Sequence, residues 1–200
     1  MSDYSLARRI QHKRIARDSK TRISNVALNL FTQKGIKGTT TKEIAKRAGI
    51  AEGTIYKHFK SKDDLALELF TTTMDTFREK LVEDTKGYSN PPDTLRALIQ
   101  AFFDFAKKHP KAYSYIIDAH LTELKKIPKE KAKPKDIFAE VIRAGIQRGD
   151  FRNIEQNLSA AIVIGMITRA ILFFNNGLID LDYDKVVSEV VNSVFNVLKR

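Results

Sequence analysis

The segment IAKRAGIAEGTIYKHF, Ile44 to Phe59, sets two glycines four residues apart inside a run of helix formers. A glycine within a helix costs about 0.5–1 kcal/mol relative to alanine. A chain accepts two of them only where it must turn or let something approach closely. With Thr41 taken as the first position, Ala45 is fifth, Gly49 ninth and Ile55 fifteenth. That register predicts two short helices, about Lys42–Ala48 and Gly53–Phe59, joined by a tight turn. Ala45 is small where the second helix crosses the first, Gly49 supplies the left-handed turn residue, and Ile55 wedges beneath. The result is a helix-turn-helix.

The rest of the chain carries the same 3.6-residue patterning. Ile23, Val26, Ala27, Leu30 and Phe31 form one apolar stripe. Ser61 is placed to cap a longer helix, with Asp64 three residues on as a capping-box carboxylate. Leu67, Phe70, Met74, Phe77 and Leu81 line that helix. Further helices are expected over about Thr94–Lys108, ended by His109-Pro110, then through Leu124, and over about Ile137–Arg148, Ile154–Asn175 and Tyr183–Lys199. No alternating pattern suggests strands. The fold class is all-α, with about nine helices.

Charge divides the chain unevenly. Residues 1–62 hold 15 Lys and Arg against 4 Asp and Glu, whereas residues 63–200 hold 20 of each. A basic segment joined to a neutral body suits nucleic-acid binding attached to something else. The expected division is therefore a nucleic-acid-binding segment over 1–62 and a neutral helical body over 63–200. Arg8, Arg9, Lys13, Arg14, Arg17, Lys20 and Arg22 form a basic arm that either enters a minor groove or attracts any duplex. Cysteine is absent, which removes disulfides and thiolate metal sites. The longest uncharged run, Gln156 to Thr168, falls short of the roughly 18 residues a bilayer span needs. A soluble cytoplasmic protein with no membrane partner is expected. The four histidines do not cluster, and no phosphate loop or nucleophile elbow is visible. No catalytic residues, metal ligands or cofactors are expected.

Gly53 would open the second short helix without a side chain, so that a backbone or phosphate could come close. Thr54, Tyr56, Lys57 and His58 would project outward, Thr40 and Thr41 would offer hydroxyls, and Lys62 would stand at the start of the next helix. The stretch TTTKEIAKRAGIAEGTIYKHFKSKDDL resembles the N-terminal domain of TetR-family (tetracycline-repressor-like) transcriptional regulators. Thr40, Ile44, Ala45, Ala48, Gly49, Gly53, Thr54, Tyr56, His58, Phe59, Lys62 and Leu65 fill that family's pattern. Ala51 departs from it, standing where a serine usually caps the second helix. The resemblance covers about Ile23 to Phe70. It implies a three-helix DNA-binding head, a helical ligand domain and a homodimer on a palindromic operator. It also implies DNA contacts at Thr40, Thr41, Tyr56, Lys57, His58 and Lys62. Glu52 either accepts from a base amino group or points away.

In the remaining two thirds, Met74, Phe77, Phe103, Tyr113, Ile117, Phe138, Ile142, Arg169 and Phe173 are either core residues or, as the resemblance implies, the lining of an effector pocket. Their apolar and aromatic bias suits a hydrophobic effector, a fatty acyl compound or an aromatic molecule. Arg169 either meets an effector carboxylate or pairs with an acid such as Asp104. The last two helices are apolar on more than one side, as a subunit interface requires. Leu158, Ile162, Gly165 and Met166 are the candidates on one, and Val187, Val191, Val194 and Leu198 on the other. The expected function is a ligand-responsive regulator, a repressor in the first instance. An activator, a regulator controlled by a protein partner, and a helical scaffold holding nucleic acid non-specifically are the alternatives.

Overall fold

The computed structural model describes residues 3–128 and 130–200, with side chains for all of these except residues 3–17 and 121. The described residues form nine α-helices, one 3-10 turn and no strand. They gather into two compact units. One comprises the chain up to Thr73 together with Lys111–Pro128, the other Met74–Pro110 together with Lys129–Arg200. Compaction and charge thus divide the chain at different places, because compaction follows buried faces and charge follows surfaces.

In the first unit, α1 (Asp3–Lys34) runs for 32 residues, much longer than the apolar stripe beginning at Ile23. Nothing between Asp3 and Ile23 breaks a helix, so propagation continues past the buried face. The side chains of Arg8, Arg9, Lys13, Arg14 and Arg17 in the basic arm lie outside the described residues. α2 (Thr41–Ala48) packs against α1, and α3 (Glu52–Tyr56) against α2. Ile23, Ala27, Leu30, Ile44 and Ile55 close this core. α4 (Lys62–Thr85) contributes its first half here. Ser61 caps it through the Asp64 amide at 3.0 Å, while the Asp64 carboxylate accepts from the Lys60 amide rather than from Ser61 itself. α6 (Pro110–Glu123) belongs to this unit too. Its buried Tyr115 donates to the Ala66 carbonyl at 2.8 Å and stacks on Phe31. Burial pushes the Tyr115 phenol well above its usual range, which keeps that donor protonated.

In the second unit, α5 (Pro91–Lys108) packs on α7 (Pro134–Arg148), α8 (Gln156–Asn175) and α9 (Tyr183–Leu198). Both α5 and α7 start at a proline, a few residues before the apolar pattern does. Proline's fixed φ and missing amide suit the first turn of a helix, so here it begins the element. Asn90 caps α5 by accepting from the Asp93 amide at 2.9 Å. The aromatic centre is Phe77 against Phe102 and Phe105, with Phe102 against Phe138. Tyr183 ties α9 to α5 through the Phe103 carbonyl at 2.6 Å.

Candidate nucleic-acid interface

Thr40 is extended, and its hydroxyl accepts from the Glu43 amide at 3.2 Å, which starts α2. The helix ends at Gly49, whose φ of +64° is the left-handed conformation the turn requires. The Ile50 amide then reaches back to the Ala45 carbonyl at 3.1 Å, satisfying an end that would otherwise be orphaned. Ala45 is 3% exposed and Ile55 0%, as the helix-turn-helix register demands. α3 is shorter than the sequence suggests. After Tyr56 the amides of His58 and Phe59 both turn in to the Ile55 carbonyl, at 2.9 Å each. Its cap residue Ala51 makes no side-chain hydrogen bond. Replacing Ala51 with serine should therefore stabilise the protein by about 0.5–2 kcal/mol, read as a rise in thermal midpoint.

The outward face is polar and basic. Tyr56 is 53% exposed and Lys57 is exposed beside it, with Thr54 half-buried. Apart from its chain neighbours and its own helix backbone, no atom lies within 4 Å of where a Cβ would sit on Gly53, so the start of α3 is open to an approaching group. Thr41, Glu52 and Tyr56 form a chain of hydrogen bonds. The Thr41 hydroxyl donates to the Glu52 carboxylate at 2.6 Å, so at 3.3 Å the Tyr56 hydroxyl is left to donate to Thr41. Glu52 thereby holds the two hydroxyls in place, and its own charge is partly answered. The sequence carries no sign of this, because the partners are brought together only by the turn. A cleft of about 300 Å³ beside them is lined by Lys37, Thr39, Thr40, Thr41, Tyr56, Lys60, Ser61 and Lys62. Exposed Lys42 and Lys46 lie on α2, while Lys34 and Arg47 both pair with Glu43.

Two more of the expected contact residues also have structural partners. The Lys62 ammonium donates to the Ile36 and Thr39 carbonyls, at 2.7 Å each, and so pins the α1–α2 loop to the start of α4. His58 is half-buried, with its Nε2 at 2.8 Å from the Ser19 hydroxyl. Lys20, from the basic arm, pairs with Glu68 at 2.6 Å and lies over the Phe59 ring.

The expected effector residues are shared between the two units. Met74, Phe77, Phe103, Phe138 and Ile142 are buried in the second unit, whereas Tyr113 and the exposed Ile117 belong to the first. Arg169 and Phe173 lie in an open groove of about 720 Å³ along α8 and α9, together with Ile162, Gly165 and Met166. Asp104 is held by Gln100 at 3.0 Å and Lys108 at 3.6 Å, not by Arg169. Of the expected interface residues, Leu158 is 53% exposed, and no atom lies within 4 Å of a Cβ built on Gly165. Val187, Val191, Val194 and Leu198 are instead buried within the chain itself. A valine-rich stripe requires burial but does not say against what, and here α5 and α8 cover it.

Residues 23–69 match the family described as bacterial regulatory proteins, tetR family. The fatty acid metabolism regulator protein of Bacillus subtilis (strain 168) is 28% identical over 181 residues, covering 88% of this chain and 91% of the relative. The structure of FadR from Bacillus subtilis in complex with stearoyl-CoA superimposes with a TM-score of 0.67 at 23% identity, over 88% of this chain and 96% of that one. AibR in complex with isovaleryl coenzyme A and operator DNA gives 0.70 at 19% identity, over 88% and 98%. These relatives are regulators, not enzymes.

Proposed function

The chain belongs to the tetR family of bacterial regulatory proteins, and on that premise we propose that it is a dimeric repressor that leaves a palindromic operator when a fatty-acyl effector binds. The observation that carries the DNA half of this reading is the outward face of α3, where Tyr56 and Lys57 are exposed and Glu52 organises the Thr41 and Tyr56 hydroxyls. In this reading Thr40, Thr41, Thr54 and Lys57 meet phosphates and base edges, and Gly53 lets the backbone come near. Lys62 and His58 act by holding the head together. Two such heads related by a twofold axis would reach successive major grooves about 34 Å apart. The protein would work in the cytoplasm and catalyse no reaction.

The effector half is supported by the aromatic core around Phe77 and by the relatives' association with fatty acid metabolism and acyl-CoA. The open apolar strip with Leu158, Ile162, Gly165 and Met166 would serve as the contact with a second copy. α4 contributes to both compact units, so an effector that shifts it would disturb the head as well. Selection from a random duplex library should return a palindrome, bound about 10³-fold or more tighter than unrelated DNA. Adding a long-chain acyl-CoA should then release it. Retention of all duplexes with equal affinity would overturn the regulator reading.

A further inference from the structure

The second half of α4 carries a cation with one buried donor unanswered. The Arg78 Nε is buried and has no hydrogen-bond partner among the described residues, and an unanswered charged donor is costly in a folded chain. Arg78 stands at a boundary on its helix. Met74, Phe77 and Leu81 beside it are buried, and Asp75 and Val82 lie at the surface. Asp75, one turn earlier on the same face, receives Lys131 from the lysine-rich loop at 2.6 Å. That contact brings a second cation to the turn of α4 that bears Arg78. An apolar interior, a half-buried guanidinium whose Nε lacks an acceptor and a partly exposed ammonium held by one carboxylate thus share this stretch of α4.

We infer that Arg78 and Lys131 form the anion-binding end of the effector site, and that they take the oxyanion head, carboxylate or phosphate, of an amphipathic acyl molecule. Asp75 holds Lys131 in place until the effector's head displaces it. This inference rests on the effector reading above, and it moves the anionic contact from Arg169, which lies in the open α8–α9 groove, to Arg78.

The test is calorimetric titration of the full chain with oleate, oleoyl-CoA and the neutral oleyl alcohol. Wild type should bind an anionic probe at least tenfold more tightly than the alcohol. Arg78→Gln and Lys131→Ala should each weaken the anionic probe about tenfold and leave the alcohol unchanged, while Asp75→Asn should tighten it. Lys131 and Asp75 are surface residues, so their opposite effects cannot come from a general loss of structure. Preference for oleate identifies a carboxylate head and preference for oleoyl-CoA a phosphate-bearing one, and either result upholds the site. Equal binding of all three probes by wild type, or anionic binding that none of the three variants changes, overturns it and leaves the effector reading standing. Failure of wild type to bind any probe while it still holds its operator overturns both.

Discussion

Replacing Tyr56 and Lys57 together by alanine should lower operator affinity by about 10²–10³-fold while the melting temperature stays within a few degrees of wild type. Neither side chain supports the head. Tyr56 is 53% exposed and makes one hydroxyl contact at 3.3 Å, and Lys57 is exposed. What they offer to DNA is therefore separable from what they do for the fold. A good side-chain contact to a base edge carries about 1–3 kcal/mol of discrimination, and each 1.4 kcal/mol is about tenfold in affinity. Four such contacts, two on each half-site, reach the stated loss at about 1 kcal/mol or slightly less each. Lys62→Ala supplies the contrast. Its ammonium bonds the Ile36 and Thr39 carbonyls at 2.7 Å each, and hydrogen bonds from a charged group are worth about 1.5–3 kcal/mol. That variant should lose affinity and thermal midpoint together. Fluorescence anisotropy with a labelled operator at fixed salt, beside circular dichroism melts, separates the two behaviours. A Tyr56, Lys57 double variant that binds like wild type would remove α3 from the interface.

How far the sequence speaks differs from element to element. Gly49 and Ile55 are legible because one backbone conformation and one wedge position determine them locally, and the structure puts Gly49 at φ +64° and Ile55 at 0% exposure. The starts of α5 and α7 are missed because a proline reads as a stop, yet it is equally fitted to a first helical turn. Lys62 reads as a free cation because sequence records charge but not the carbonyls that a loop folds toward it. The valines of α9 show the same limit from the apolar side. Their spacing demands burial, and only the tertiary arrangement reveals that this chain covers them itself. The hydrogen bonds of Tyr115 and Glu52 escape notice because their partners, Ala66 and Thr41, are distant in sequence.

Gly145, inside α7, gives that limit a measurable form. By propensity, alanine there should help, since glycine within a helix is about 0.5–1 kcal/mol worse than alanine. The structure reverses the sign. A Cβ on Gly145 would lie 2.2 Å and 2.3 Å from two ring carbons of Phe151. The ring cannot move aside freely. It is 4% exposed, packs on Phe195 at 6.1 Å, and is drawn back over the last turn of α7 by amides 150 and 151 reaching the Gly145 carbonyl. Gly149, at φ +84°, makes that reversal possible. Overpacking of this kind costs about 1–3 kcal/mol, which for a chain of this size lowers the thermal midpoint by about 2–4 °C per kcal/mol. Gly145→Ala should thus melt several degrees below wild type. Phe151→Leu alone should also destabilise, because it removes ring contacts with Phe195. Combined, the two changes should cost less than their sum by about 1–2 kcal/mol, since the smaller side chain vacates the space the new methyl needs. A Gly145→Ala protein that melts above wild type would mean that helix propensity outweighs the Phe151 contact, and that α7 and the turn after it are not packed as closely as these distances require.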